Sequence, residues 1–393
     1  MLYLYGARAA RGFGDGFAAL ILPAYLSALG FGPVQIGIVA AAALLGSAVL
    51  TLAIGLIAPR YDLRTLLIVC ACLMIATGIA FPSSQHFVFL ALVAFIGTIN
   101  PTTGDIGVHV PLEQAVVAAS VTDRERTRTF ARYSLIGALA IAAGALSAAA
   151  PDALASLGMD KLVALRLMFY VYAALGLLAA VLYAFLQQTR NKQTSPPASA
   201  LGQSRATVYK LAALFSLDSF AGGFTVQSLL ALWLFERFDL TLTAASGFFF
   251  WSNVLSAFSY PVAARLGARF GLVNTMVFTH IPSSICLIAA AFASSLPVVL
   301  ALLLLRAAFS QMDVPTRTSF VMAVVTPPER TAAASITAVP RSLASAISPA
   351  ISGALLSTAF IGMPLVLCGT LKIAYDLTLL LAFRHLKPPE ERV

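Results

Sequence analysis

The sequence predicts an all-α membrane protein with about twelve transmembrane helices, from its composition, its apolar runs and the spacing of its charges. Of its 393 residues, 60% are hydrophobic and only 10% are charged, whereas soluble domains have roughly 25% charged residues. Apolar runs of about twenty residues, long enough to cross roughly 30 Å of hydrocarbon, recur along the chain. We therefore expect a lipid bilayer to surround most of the protein.

The breaks between the apolar runs divide the chain into two sets of six spans. The first six are expected at 4–29, 34–58, 65–82, 87–121, 129–150 and 165–186. The second six are expected at 208–235, 241–264, 272–294, 297–325, 332–357 and 363–386. Residues 189–207 are polar and include Pro196 and Pro197, which is typical of a flexible linker. We thus expect a six-helix half at 1–188 and another at 208–393.

Positive charge is concentrated in alternate loops. The basic set holds Arg60, Arg64, Arg124, Arg126, Arg128, Arg190, Lys192, Arg205, Lys210, Arg265, Arg269, Arg330, Arg384, Lys387 and Arg392. The other set holds little beyond Lys161, Arg166 and Arg237. The positive-inside rule places the basic loops and both termini in the cytoplasm, as in a multi-pass protein of the inner (plasma) membrane. The net charge of +9 does not indicate a nucleic-acid partner, because no basic stretch is interleaved with aromatics.

Two short segments recur in the second half of the chain. Pro111 and Pro315, and Glu125 and Glu329, are each 204 residues apart (315 − 111 and 329 − 125). A second repeat relates the loop at 55–64 to the loop at 264–271. Two repeats in successive parts of each half indicate a duplicated bundle of six helices.

The two repeated loops resemble the signature of the major facilitator superfamily, G-x-x-x-D-R-x-G-R-R between spans two and three. Gly55, Arg60 and Arg64 match it, and Arg269 and Gly271 match its partial copy between spans eight and nine. The motif's acid is replaced in both loops. Twelve spans, a central linker and the internal repeat extend the resemblance over the whole chain.

This resemblance implies a monomeric secondary transporter whose two halves rock around a central site. It assigns the five loop-motif residues to gating. Arg132 and Arg341, near the cytoplasmic starts of spans five and eleven, are interpreted as helix anchors or gate salt bridges.

Ionisable residues inside spans need a reason, because each costs about 3 kcal/mol at mid-bilayer. In span four, Asp105, His109 and Glu113 follow at i, i+4 and i+8, which predicts one helical stripe. In span ten, Asp313 and Arg317 flank Pro315, and the 204-residue offset maps His109 and Glu113 onto them. The candidate substrate-binding or proton-coupling residues are Asp15, Asp105, His109, Glu113, Asp218, Gln311, Asp313 and Arg317.

Structural alternatives stay open for each of these residues. Asp313 and Arg317 can simply neutralise each other at i, i+4, and Arg11 is spaced to pair with Asp15. Lys372 and Asp376 suit a further pair within one helix. Glycines 12, 14, 16, 222 and 223 are expected to allow close helix packing.

The function expected is proton-coupled export of a small organic molecule by an antiporter. One alternative is a divalent metal exporter that uses Asp15, Asp105, His109 and Glu113; another is an organic anion transporter that uses Arg317. A non-transporting receptor is the alternative of a different class. Hydrolase, zinc-protease and nucleotide-binding motifs are absent from the sequence, so we expect no enzyme and no cofactor. The four cysteines lie in apolar runs and predict neither a disulfide framework nor a metal site.

Overall fold

The computed structural model describes residues 1–58, 60–102, 107–120, 123–187, 202–326 and 329–384. Within these ranges the chain forms sixteen α-helices joined by short connections. The first eight are α1 (Leu2–Ala28), α2 (Pro33–Ile57), α3 (Leu63–Ser83), α4 (Phe87–Ile96), α5 (His109–Ser120), α6 (Asp123–Ser147), α7 (Ala150–Ser156) and α8 (Lys161–Ala184). The others are α9 (Arg205–Gly223), α10 (Gln227–Phe238), α11 (Leu242–Phe270), α12 (Leu272–Phe292), α13 (Leu296–Ser310), α14 (Asp313–Val324), α15 (Arg330–Leu356) and α16 (Met363–Phe383).

Six helical stretches of the described chain are long and apolar enough to cross a membrane on their own. They are Pro33–Ile57, Leu63–Ser83, Thr129–Ser156, Lys161–Ala184, Leu272–Phe292 and Met363–Phe383. Helix α1 is also long, at 27 residues, but it carries Arg8, Arg11 and Asp15 among its buried residues. Charged side chains inside a span need internal partners, so α1 depends on the helices around it.

The predicted fourth, seventh and tenth spans are discontinuous in the structure. They consist of α4 and α5, α9 and α10, and α13 and α14. Gly97 ends α4 in an extended conformation, and Gly107 has a φ of 142° that favours glycine. Pro111 and Pro315 are the third residues of α5 and α14, where the first turn needs no backbone N–H. Both prolines therefore lie at a helix start rather than at a kink.

The backbone polar groups at the α4–α5 break have protein partners. The Thr98 carbonyl accepts a hydrogen bond from the Tyr172 hydroxyl at 3.1 Å, and the Thr98 N–H donates to the Thr77 hydroxyl at 3.3 Å. The Pro101 carbonyl accepts from the Ser228 N–H at 3.0 Å. Non-helical backbone is tolerated at membrane depth only where such partners or a water-filled cavity satisfy it.

The described residues divide into two compact units. The first contains those of 1–187, 226–253 and 349–357, and in it α1 packs against α6, α8 and α10. The second contains those of 202–225, 254–348 and 358–384, and in it α12 packs against α13, α14 and α16. The division at a linker spanning 189–207 stays a prediction.

Close packing of α1 against α6 depends on glycine, as the sequence predicted for this stretch. A Cβ on Gly16 would lie 2.1 Å from the carbonyl oxygen of Ile141, and one on Gly144 would lie 2.0 Å from that of Phe13. Both obstacles are backbone atoms, which cannot move aside without separating the helices. The two glycines thus set the distance between α1 and α6.

We expect Gly16→Ala to lower the free energy of unfolding by about 1–3 kcal/mol, because it overpacks this contact. Thermal unfolding of the purified protein in detergent measures the change. Gly247→Ala in α11 is the matched control, since a Cβ there meets nothing within 4 Å. That control should be neutral or slightly stabilising. Equal melting temperatures for the two variants would contradict the close approach.

Glu329, which precedes α15, ties this helix to the residues before α9. Its carboxylate accepts hydrogen bonds from the backbone N–H of Gly202 and from the Thr326 hydroxyl, the latter at 2.6 Å. Hydrogen bonds from Ser204, Thr326 and Gly202 lower the pKa of the Glu329 carboxyl to about 2. The carboxylate therefore holds these segments together at neutral pH.

Because folding lowers this pKa, the stability it contributes is present above the unfolded value of about 4.3 and is lost as pH falls toward 2. We expect Glu329→Gln to show a melting temperature below the parent's at pH 7 and a smaller difference at pH 3. Melting curves of both proteins at the two pH values measure this. A difference that grows on acidification would contradict the assignment.

Candidate functional site

The first unit contains a buried group of charged and phenolic side chains, which we name the Glu113 cluster: Arg11, Asp15, Glu113, Tyr133 and Tyr183. Glu113 in α5 is fully buried. One of its oxygens accepts from Arg11 Nη2 at 2.8 Å and from the Tyr133 hydroxyl at 2.5 Å, and the other accepts from the Tyr183 hydroxyl. Arg11 also pairs with Asp15, with Nη1 3.4 Å from Oδ2. The cluster joins α1, α5, α6 and α8.

The arrangement satisfies the carboxylate of Glu113 on both oxygens. Charge-assisted hydrogen bonds are stronger than neutral ones, and a buried carboxylate without them would cost several kcal/mol. Arg8, one turn before Arg11, lies over the Tyr133 ring at 4.8 Å from its centroid. Glu113 is thus held as an anion by Arg11 of α1, Tyr133 of α6 and Tyr183 of α8.

Asp15 and His109 face a different environment from Glu113. They line a recess of the first unit, which we name the polar recess, together with Arg11, Ser47, Thr98, Asn100, Tyr172 and neighbouring apolar residues. His109 Nε2 has no hydrogen-bond partner among the described residues although it is buried. The break between α4 and α5 forms part of the wall. The recess therefore presents a carboxylate, a guanidinium, an amide and an imidazole at one place.

The second unit contains a larger charged group, which we name the Asp218 cluster: Asp218, His280, Asp313, Arg317, Lys372 and Asp376. Asp218 in α9 accepts from Arg317 Nη1 at 3.1 Å and from Lys372 Nζ at 2.7 Å. Arg317 also contacts its helical neighbour Asp313 at 3.1 Å. Asp218 is thereby shared by two cations from α14 and α16.

His280 of α12 lies between two members of this cluster. Its Nε2 is 3.2 Å from Lys372 Nζ, and its Nδ1 is 3.1 Å from Asp376 Oδ1. The predicted direct pair of Lys372 with Asp376 is therefore wrong, because the imidazole ring separates them. The ammonium can only donate, so the contacts assign the proton of the ring to Nδ1.

The two clusters pair corresponding spans with opposite charge. In the first unit a cation on span one, Arg11, pairs with an anion on span four, Glu113. In the second an anion on span seven, Asp218, pairs with a cation on span ten, Arg317. Glu113 and Arg317 are the residues that the 204-residue repeat relates. Each repeat thus buries one ion pair between its first and fourth spans.

The structure brings some of the predicted site residues together and leaves others apart. Two sets are brought together: Asp15 with Glu113 through Arg11, and Asp218, Asp313 and Arg317 directly. Asp105 lies outside the described residues, while His109 and Glu113 both lie in α5. Gln311 follows α13 and is half-buried.

The predicted loop and gating residues lie apart from both clusters, except for one. Gly55 is in α2, Arg60 and Arg132 are exposed, and Arg64 is half-buried in the first turn of α3. Arg269 is exposed, and Gly271 caps α12 with a φ of 88°. Arg341 donates from Nε to the hydroxyl of Ser219 at 3.1 Å. Ser219 is the residue next to Asp218 in the sequence. Their gating role stays a prediction.

Six members of the clusters were not among the predicted site residues: Arg11, Tyr133, Tyr183, His280, Lys372 and Asp376. Tyr133 and Tyr183 gave no signal, because a tyrosine in an apolar span is indistinguishable from a packing residue before its partner is known. His280 and Lys372 did give a signal, since both are ionisable groups inside spans, the criterion that selected Asp218. Their partners on other helices could not be identified from spacing within one helix.

The Arg11–Glu113 pair gives a direct stability test. Arg11→Met should lower the free energy of unfolding by about 3–5 kcal/mol, because it leaves a buried carboxylate without its cation. Adding Glu113→Gln should recover most of this loss. The control is Lys161→Met, whose exposed pair with Asp152 should contribute at most about 1 kcal/mol. Unfolding in detergent measures the parent, both single variants, the double variant and the control. Additive losses in the double variant would contradict the pair.

Comparisons with known proteins agree on the fold. The sequence profile of the Major Facilitator Superfamily matches residues 4–251 and 211–393. The uncharacterized membrane protein YJR124C of Saccharomyces cerevisiae is 23% identical over 404 residues, covering 94% of this chain and 90% of the yeast protein.

Several solved transporters share this fold at low sequence identity. A mutant form of the nucleoside transporter NupG has a TM-score of 0.78 at 14% identity, covering 97% of this chain and 99% of its own. The xylose transporter XylE from E. coli, in an inward open conformation, has a TM-score of 0.74 at 13% identity, covering 95% and 94%. A bacterial homologue of the human lysosomal transporter Spinster has a TM-score of 0.69 at 16% identity, covering 97% and 94%.

These findings confirm the predicted family resemblance and the all-α membrane fold with twelve spans in two six-helix halves. Structural likeness at such low identity shows the fold and leaves the substrate to be determined from the site itself. With its sequence matched by the family profile almost from end to end, this chain belongs to the Major Facilitator Superfamily.

Proposed function

We propose that this chain is a proton-coupled secondary transporter that exports a small polar organic solute by alternating access, and that side chains lining the polar recess contact the solute. The observation that carries the proposal is the set of hydrogen-bonding groups at the recess. His109 Nε2 has no partner among the described residues, and Asp15 holds Arg11 only at 3.4 Å. A buried polar atom without a partner is costly, and a bound solute would supply the missing one.

The chemistry of the recess fits a neutral or zwitterionic solute with several hydroxyl, amine or amide groups. Asp15 accepts hydrogen bonds, Arg11 donates them, and Asn100 and His109 can do either. Small-molecule sites commonly combine such a few convergent polar groups with apolar walls. Two of the structurally similar transporters are named for a nucleoside and for xylose, which belong to this chemical class.

The contacts favour this class over the two charged alternatives. A divalent metal would need Glu113, but both oxygens of that carboxylate already accept hydrogen bonds from Arg11, Tyr133 and Tyr183. An organic anion would need Arg317, but two carboxylates already contact its Nη1 atom at 3.1 Å. Either ligand would first have to displace a buried ion pair.

The remaining parts of the proposal concern the setting of the transporter. The protein works as a monomer in the plasma membrane, with both termini in the cytoplasm, as the basic loops predict. Proton coupling follows from differential proton affinity in two conformations, for which buried carboxylates are suitable groups. A receptor without transport activity is separated from this proposal by a flux assay.

The test uses purified protein in proteoliposomes and radiolabelled nucleosides, pentoses, organic anions, organic cations and divalent metals. A pH gradient of either polarity is imposed, so the assay also determines the direction of transport. We expect gradient-dependent flux of a neutral or zwitterionic solute. Asp15→Asn and His109→Leu should each reduce it by about tenfold or more, the effect of losing one or two polar contacts worth about 1.5 kcal/mol each.

The control variant is Asp152→Asn, which changes a carboxylate whose neighbours are Lys161 and Thr243 near the α7 turn. It should transport at the parent's rate. Flux that is equal in Asp15→Asn, His109→Leu and the parent would contradict binding in the polar recess. Flux without dependence on the pH gradient would contradict the coupling, and the absence of flux for every solute would favour the receptor.

A further inference from the structure

The Asp218 cluster contains an imidazole whose position the transport proposal does not use. His280 is buried in α12, with the carboxylate of Asp376 on one ring nitrogen and the ammonium of Lys372 on the other. Asp376 is fully buried, and its second oxygen, Oδ2, has no hydrogen-bond partner among the described residues. The imidazole is therefore the group through which this buried carboxylate connects with the rest of the cluster.

We infer that His280 is a proton-binding site of this protein, and that binding a proton exchanges the partner of Asp218 from Lys372 to His280. The proton binding itself is independent of the proposed function, and only its consequence for transport rests on that function. It depends on the juxtaposition of Asp218, Lys372, His280 and Asp376 on three helices.

The contacts describe the proton-free state. Lys372 donates to Asp218 Oδ1 at 2.7 Å and lies 3.2 Å from His280 Nε2. A lone pair on Nε2 is needed to accept from an ammonium, so the ring is neutral and donates from Nδ1 to Asp376. Protonation of Nε2 removes that lone pair and brings two cations face to face. Lys372 and a protonated His280 cannot keep this contact.

Asp218 offers the protonated ring another partner at short range. His280 Nε2 is 4.0 Å from Asp218 Oδ1, the oxygen that Lys372 now holds. A shift of about 1 Å would bring this pair to hydrogen-bonding distance. Lys372 would move away, while Asp376 would gain a charged partner in place of a neutral one. Proton binding therefore changes the contacts between α9, α12 and α16 without breaking a covalent bond.

The surrounding charges belong to all the helices that pack around His280. They are Lys372, Tyr375 and Asp376 from α16, Asp218 from α9, Asp313 and Arg317 from α14, Arg341 from α15 and Arg306 from α13. In the contact network of Asp218, His280, Asp313, Arg317, Lys372 and Asp376 there are three carboxylates and two permanent cations. One further proton neutralises that network. Arg341, bonded to Ser219, adds a cation at its edge that opposes a second proton.

The location suits coupling because Asp218 belongs to a discontinuous span. Three residues separate the end of helix α9 at Gly223 from the start of α10 at Gln227. A Cβ built on Gly222 would lie 3.9 Å from the end of the Lys372 side chain. Movement of Lys372 away from Asp218 would act directly on the helix end next to this break. The proton would thus bias the position of α9.

The test measures proton binding directly, on full-length protein in detergent without any solute. The protein is labelled with ¹⁵N-histidine, which gives signals from only four side chains, and His280→Asn identifies the signal of His280. The pH is varied over the range in which the protein stays folded, and we expect this signal to change when Nε2 takes up a proton. Lys372→Gln removes the competing cation and should move the midpoint about one pH unit or more toward higher pH. Asp376→Asn should move it by a similar amount toward lower pH.

Lys210→Gln is the control, because it removes an exposed lysine from the same helix as Asp218; the midpoint should not move. A His280 signal that does not change over this pH range overturns the inference. So does an unchanged midpoint in Lys372→Gln, and Asp376→Asn provides the same test if that variant does not fold.

The transport arm separates this inference from the proposed function. With the solute that the flux panel identifies, His280→Asn should keep solute exchange at equal pH and lose accumulation driven by a pH gradient. Accumulation at the parent's level would overturn the coupling role of His280 while leaving the transporter proposal intact. Failure of the whole panel would overturn the transporter proposal and leave the ¹⁵N titration as the test of proton binding.

Discussion

The structure depends on the rule that a charge inside a membrane must be paired. Each ionisable group at mid-bilayer costs about 3 kcal/mol on insertion scales. The protein buries Arg11, Glu113, Asp218 and Arg317 inside its predicted spans. Each finds its partner on another helix, at 2.8 Å for Arg11 with Glu113 and 3.1 Å for Asp218 with Arg317. The pairs therefore specify which helices must lie side by side in each repeat, at positions where apolar packing alone does not distinguish one neighbour from another.

Helix breaks and buried charges occur together. The predicted spans four, seven and ten each consist of two helices, and α5, α9 and α14 carry Glu113, Asp218 and Arg317. A broken span exposes carbonyl and N–H groups that need partners, and it gives a short helix that can move without the rest of the span. Glu113 differs from Asp218 in this respect. Both of its oxygens accept hydrogen bonds from strong donors, whereas Asp218 is shared by Arg317 and Lys372, and His280 Nε2 lies 4.0 Å away.

Much of this fold could be predicted from the sequence, because apolar run length and the distribution of Lys and Arg follow directly from membrane physics. The helix breaks of the seventh and tenth spans were not located, since hydropathy does not distinguish a continuous span from two helices with a break after Gly223 or Ser310. The buried acids could be identified because an ionisable residue inside an apolar run is visible in the sequence alone. Their partners were predicted correctly only when they lay four residues away, as for Arg11 with Asp15 and Asp313 with Arg317. Tyr133, Tyr183 and His280 act across helices, and this information is absent from local spacing.

The central claim is that the buried ion pairs serve transport and not only stability. The most direct measurement is gradient-driven solute flux in proteoliposomes by the double variant Arg11→Met/Glu113→Gln, with its fold verified by thermal unfolding. This protein lacks both charges of the Arg11–Glu113 pair, so neither member of the pair is left without its partner. Our account predicts a folded protein whose flux is reduced about tenfold or more, because Arg11 of the polar recess is gone and Asp15 has lost its cation. A folded double variant with the parent's flux would contradict the claim and assign the Glu113 cluster to the architecture alone.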